Sequence, residues 1–383
     1  MQNFESESLE SLSNAKKSPI ATKLWISACL IGLSSFMYGY SITALNSCLV
    51  FGNSKSGIDC YNQNDDGSCP PGTIYDDLEL SPFEASLATS LTVIGAWIGS
   101  YLGAVPAERY GRRTTVLFNG LFYISGSVLA ADGYAISLYI GRLISGLGVG
   151  ITSAVTPILL AEIAPDIHRG TITTMHQLFI TMGVFTAFTV SYGFVTFVEN
   201  GWQYVQALGA IPPVILLLGS PFVAESPKWI VGSRRDREWA LRVLKSIRNS
   251  DDDIELEVSK YGNTSSSSSE TETETETPPI TYIQVINNNW NAVVVGCGLM
   301  FFQAMCGISS VILYSTTIFG FADFSDALLG TVLVGVVNVS TTVFAAVVIE
   351  RVGRKVLLQG GKLSVICILL YCIVLYCIVC VGV

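Results

Sequence analysis

Apolar and polar positions fall in long blocks along this chain, not in single-residue alternation. Nine apolar runs lie near 23–46, 84–106, 114–133, 137–161, 172–196, 203–223, 292–315, 325–349 and 357–381. Each is about 20 residues or more, the length a helix needs to cross a hydrocarbon layer roughly 30 Å thick. In lipid only helices and closed barrels satisfy every backbone group, and these runs lack the alternation of barrel strands. The pattern predicts an all-α polytopic membrane protein: six spans, a long polar segment, then three more spans.

The polar loops orient it. Positive charge gathers in every second loop. The loop after the second run reads Glu108-Arg109-Tyr110-Gly111-Arg112-Arg113, and the one after the fourth holds His168 and Arg169. The loop after the sixth carries Lys228, Arg234, Arg235, Arg237, Arg242, Lys245 and Arg248, and the one after the eighth Arg351, Arg354 and Lys355. Other loops hold almost no Lys or Arg beyond Lys55. The positive-inside rule places these basic loops and the N-terminus in the cytoplasm. Nine spans then leave the C-terminus outside.

Composition agrees, with 50% hydrophobic and only 13% charged residues, too few charges for an ordinary water-exposed surface. The net charge of −9 comes largely from the N-terminal tail, the first outer loop and 251–276, so it says little about partners, and no nucleic-acid patch is expected. The tail opens with Glu5, Glu7 and Glu10 and has no secretory n-region, so the first span is expected to act as an uncleaved anchor. Of ten cysteines, Cys29, Cys48, Cys297, Cys306, Cys367, Cys372, Cys377 and Cys380 sit in apolar runs and read as small packing residues. Cys60 and Cys69 lie in the first outer loop, where a disulfide is permitted; bridged and free forms both remain open. No metal site or cofactor is expected, because no His or further Cys accompanies them.

The expected organisation is a disordered tail 1–22, a six-helix bundle 23–223, a polar segment 224–290 and a three-helix portion 291–383. Within the polar segment, Trp239, Leu241, Val243, Leu244 and Ile247 have helical spacing among charges and predict a short amphipathic helix over Asp236–Ile247. Ser265–Ser269 and the Glu-Thr alternation 270–277 have nothing to bury and predict a disordered linker. The turn at 108–113 is echoed by Glu350-Arg351-Val352-Gly353-Arg354-Lys355. An acid, an Arg, a spacer, Gly and two bases recur between spans two and three and between spans eight and nine. Internal repeats of this kind mark secondary transporters.

With these turns go Gly141-Arg142-Leu143-Ile144-Ser145-Gly146, Ala161-Glu162-Ile163-Ala164-Pro165 with Arg169-Gly170, Gln177-Leu178-Phe179, and Glu225-Ser226-Pro227-Lys228-Trp229. Together, over about 24–358, they resemble the sugar porter family of the major facilitator superfamily. The stretch Met175–Thr181 is particularly similar to hexose transporters of apicomplexan parasites. The resemblance implies a major facilitator fold with a complete six-helix N-terminal bundle and a partial, three-helix C-terminal one. It implies transport of a hexose such as glucose by alternating access, in the plasma membrane, with the sugar and the bilayer as partners.

The resemblance also assigns roles. Gln177, Gln303, Ser309 and Asn338 match sugar-binding positions, and amides suit a sugar because they donate and accept without a counter-charge. Phe36, Ile180 and Tyr314 are candidates to face the sugar's carbon surface. Glu108, Arg109, Arg112, Arg113, Glu162, Arg169, Glu225, Glu350, Arg351 and Arg354 are candidates for a conformational gate whose pairs form in one state and part in the other. Arg142 is expected at the outer start of span four, away from the midplane.

Departures from the family pattern matter as well. The seventh-span motif, Gln-Gln-x-x-Gly-x-Asn in the family, reads Gln303-Ala304-Met305-Cys306-Gly307-Ile308-Ser309 here. Ser41 stands in span one where proton-coupled members often carry an acid, and no acid lies near the middle of any span. A proton relay needs one, so facilitated diffusion is expected. The family has twelve spans against nine here, so an incomplete chain is expected. A non-transporting sugar sensor or regulatory membrane protein is the alternative. An enzyme is not expected, since His168 and His176 have no triad companions.

Overall fold

A computed structural model describes residues 22–49, 74–78, 80–166, 168–248, 254–266, 290–305, 307–321 and 327–352. Its long helices are α1 (Thr22–Thr43), α3 (Pro82–Tyr110), α4 (Arg112–Ala130), α5 (Ala135–Ile163) and α6 (Arg169–Phe197), with α2 (Ile74–Leu78) a short turn before α3. The sixth apolar run is two helices, α7 (Gly201–Leu208) and α8 (Ile211–Leu218), broken where Gly209 and Ala210 precede Pro212-Pro213. A proline deep in a helix removes a backbone hydrogen bond and clashes with the preceding turn, so α8 starts afresh with its prolines in the first turn. The seventh run also breaks, into α11 (Trp290–Met305) and α12 (Ile308–Phe321), with Gly307 at φ +70 between them. The eighth run is α13 (Ala327–Val352). The ninth lies outside the described residues, as do Cys60 and Cys69. No strand occurs among the described residues.

The polar segment holds α9 (Arg237–Ile247) and α10 (Ile254–Ser266). Asp236 caps α9 by accepting the Trp239 N–H at 2.8 Å. The amphipathic pattern covers α9, but the second helix had no hydropathy signal. Arg248 holds the pair together: its guanidinium donates twice to Glu257, at 3.1 and 2.8 Å, and once to the Ile163 carbonyl at 2.8 Å. The last contact lies at the C-terminal end of α5, where a helix leaves carbonyls unpaired and favours a cation. Burial raises the Glu257 carboxyl, but Arg248 and the Tyr261 hydroxyl outweigh it and hold that carboxyl below its ordinary value.

The chain divides into two compact units, residues 1–268 with 313–343 and residues 269–312 with 344–383. In the first, α3 lies on α5, α4 on α5, and α1 on α6. Small residues make this possible. A Cβ on Gly150 would strike the Ala96 carbonyl, and one on Gly99 the Leu147 carbonyl, so α3 and α5 meet backbone to backbone. Gly39 and Gly183 do the same between α1 and α6. Between membrane helices, close packing replaces the hydrophobic drive available in water. The outward faces are apolar: Trp97, Tyr101, Leu102 and Val105 on α3, with Phe118, Leu121 and Val128 on α4, are exposed. This is the distribution expected of a surface bathed in lipid rather than water.

Candidate functional site

The basic end of the first unit is built around the α3–α4 turn. Gly111 adopts φ +104, a left-handed conformation that glycine takes at little cost. A Cβ there would also collide with the Glu225 carboxylate. That carboxylate accepts the backbone N–H of Arg113 at 3.0 Å and of Ser226 at 2.9 Å. Burial pushes its carboxyl above the ordinary value, against the lowering effect of those N–H groups and of Arg113. Glu162, at the end of α5, pairs with Arg112 Nε at 3.3 Å and accepts the Ser226 hydroxyl at 2.6 Å. Arg112 also reaches Glu108 at 3.2 Å. Arg113 donates to the Ser220 carbonyl at 2.9 Å, and the Trp229 indole to the Glu108 carbonyl at 2.7 Å. The motif at 225–229 thus closes over the turn at 108–113.

Five of the ten candidate gate residues, Glu108, Arg112, Arg113, Glu162 and Glu225, are therefore held together inside one unit. Arg109 is exposed and stacks on the Tyr110 ring, 5.6 Å from its centroid. Arg169 is exposed at the start of α6 and makes no ion pair among the described residues. Glu350 and Arg351 end α13, and Arg354 lies outside the described residues.

Deeper in the bundle a polar chain runs between apolar walls. The Thr152 hydroxyl on α5 meets Ser34 of α1 at 2.9 Å, Asn119 of α4 at 2.8 Å and Tyr123 of α4 at 3.0 Å. Ser35 meets His176 of α6 at 2.7 Å, one residue from Gln177. Tyr40 donates to the Val205 carbonyl at 2.7 Å, and Asn46 to the Ser315 hydroxyl at 2.9 Å. Polar groups inside a membrane bundle must find such partners.

Arg142 corrects the sequence expectation. α5 starts at Ala135, so Arg142 sits two turns in, only 1% exposed, rather than at an outer edge. One of its nitrogens donates to the Ser41 carbonyl at 2.6 Å, while Nε and the other terminal nitrogen have no hydrogen-bond partner among the described residues. Counting residues from the polar loop Asp132-Gly133 would have revealed it. His176, Asn119 and Thr152 carried no such signal, since their partners come from distant parts of the chain.

Gln177 lies exposed on α6, and Asn338 half-buried on α13, both in the first unit. Gln303 and Ser309 are exposed on α11 and α12, in the second. Phe36 stacks on Tyr40 at 6.3 Å. Ile180 turns its carbonyl toward Gly39, and Tyr314 is 37% exposed at a kink in α12. No cluster of three or more His, Cys, Asp or Glu side chains forms among the described residues.

Apolar helices joined by tight basic turns and a buried polar seam define a multi-pass membrane protein. The chain belongs to the sugar transporter family: the family model "Sugar (and other) transporter" matches residues 27–382. The glucose transporter GlcP of Staphylococcus epidermidis is 32% identical, over 88% of this chain and 69% of that protein. The probable metabolite transport protein CsbC of Bacillus subtilis is 32% identical, over 87% of this chain and 66% of its own length. The human proton myo-inositol cotransporter is 29% identical over 88% of this chain, which spans 49% of that relative. In fold the chain is similar to the Escherichia coli xylose transporter XylE in a partially occluded inward-open conformation, with TM-score 0.65, 22% identity and coverage of 88% and 73%. It is similar also to the proton:xylose symporter XylE bound to 6-bromo-6-deoxy-D-glucose, with TM-score 0.69, 23% identity and coverage of 87% and 70%.

Proposed function

We propose that this protein moves a hexose across the plasma membrane by facilitated diffusion, with its N-terminus in the cytoplasm. The hexose reading is supported by the relative named a glucose transporter and by the amides Gln177, Gln303 and Asn338 with Ser309 as sugar contacts. The observation that carries the uncoupled mechanism is Arg142, buried in α5 against the Ser41 backbone with no ion pair to a carboxylate among the described residues. An intramembrane proton relay uses an acid that titrates, and a buried Arg stays protonated throughout. A second reading, proton coupling, is favoured by the names of two similar proteins but finds no acid near the middle of these spans. Expression in cells lacking hexose carriers separates them. Saturable glucose uptake that survives collapse of the proton gradient is expected. Uptake that disappears with the gradient overturns facilitated diffusion, and uptake of a polyol but not glucose overturns the hexose.

A further inference from the structure

A cavity of about 380 Å³ lies in the flank of the first unit, lined by Leu102, Tyr110, Phe118, Phe122, Leu147 and Ile151 among others of α3, α4 and α5. That is within the size of small-ligand sites, roughly 300–1,000 Å³. Its Thr115 hydroxyl is bonded to the Gly111 carbonyl and its Asn119 amide nitrogen to Gly148 and Thr152, and the rest of the lining is mainly apolar. Leu102, Tyr110 and Phe118 are more than half exposed, so it opens sideways, toward acyl chains in a membrane-embedded bundle. Tyr110, at its basic end, carries the Arg109 guanidinium over its ring. Of the charges in this turn, Arg112, Arg113 and Glu108 are engaged by protein partners. Arg109 is the exposed cation beside the mouth, whereas Glu108 is held by Arg112, which it shares with Glu162.

We propose that this cavity is a binding site for one anionic phospholipid of the leaflet bordering the basic loops. An acyl chain lies between α3 and α4, and Arg109 holds the phosphate-bearing headgroup. A slot without charge would accept any chain; the cation at the mouth selects the headgroup. Basic pockets between membrane helices on this side of a bilayer recognise anionic lipids in the same way. The proposal does not depend on which solute the protein carries.

Native mass spectrometry of the purified full chain tests it, titrating phosphatidylglycerol, phosphatidylcholine and cholesterol separately. One phosphatidylglycerol is expected to bind at least several-fold more tightly than phosphatidylcholine. Arg109→Gln should abolish that preference while leaving neutral-lipid binding in place. Leu102→Trp, which fills the slot from an exposed position, should weaken both phospholipids. Preference unchanged in both variants overturns the site. Tighter binding of cholesterol than of phosphatidylglycerol, insensitive to Arg109→Gln, would assign the cavity to a sterol and overturn the headgroup role. A folded variant is identified by a thermal transition like that of the parent.

Discussion

At the scale of single residues, burial decides what the motif acids do. Glu225 is 5% exposed and receives two backbone N–H bonds, yet its carboxyl stands above the ordinary value because burial dominates. An acid whose folded value is raised stabilises the fold least when ionised. Its penalty is absent below the unfolded carboxylate value and grows as pH rises through the folded one. Glu225→Gln keeps an oxygen for both N–H groups and removes the charge. It is expected to match the parent at acid pH, where the parent carboxyl is protonated, and to melt above the parent near neutral pH, having lost the parent's decline in stability just above the ordinary carboxylate range. Glu225→Ala leaves the two N–H groups unpaired and should cost about 1–3 kcal/mol at every pH. Thermal melts in detergent across that range measure both. A parent whose stability rises with pH there contradicts the raised value.

At the scale of elements, glycine contacts set how closely the helices meet. α3 and α5 cross where Gly150 faces the Ala96 carbonyl and Gly146 the Thr92 carbonyl. Gly150→Leu forces the backbones apart. Overpacking of this kind costs roughly 1–3 kcal/mol, and a lowered melting temperature with reduced yield is expected. A variant as stable as the parent would mean that the helices can slide without loss. This scale also shows what the sequence could reveal. Hydropathy located the spans, because lipid imposes length and apolarity on each segment by itself. It did not show that runs six and seven are broken, although Pro212-Pro213 and Gly307 mark both places. Nor could it foresee α10, whose Glu257 and Tyr261 gain their meaning only from Arg248. The motifs at the basic end were legible as motifs. Their pairing of Glu162 with Arg112 was not, because 50 residues separate partners brought together by α4 and α5 folding back on one another.

At the scale of the whole molecule, these pairings divide the candidate gate. Transporters of this architecture rock one half against the other as rigid bodies around a central site. A pair inside one half is carried along and is the same in both states, so it stabilises that half without setting the balance between states. Glu162, Arg112, Glu108, Glu225 and Arg113 are of this kind, because their partners all lie within residues 107–226. Arg169 is different: exposed and without an ion pair among the described residues, it is the candidate for a partner met in only one state. Glu162→Gln is therefore expected to lower stability by about 1.5–3 kcal/mol, the worth of hydrogen bonds to a charged group, without moving the conformational balance. Arg169→Gln should leave stability unchanged and move that balance by up to about fivefold, since an exposed pair contributes at most about 1 kcal/mol. The rate at which a cysteine at Gln177 is labelled from the basic-loop side reports the balance, and thermal melts report stability. If Glu162→Gln changes the labelling rate while the melt stays fixed, the pair breaks during transport and the rigid-half account fails. If Arg169→Gln changes neither, the free charge at the head of α6 has no part in the gate.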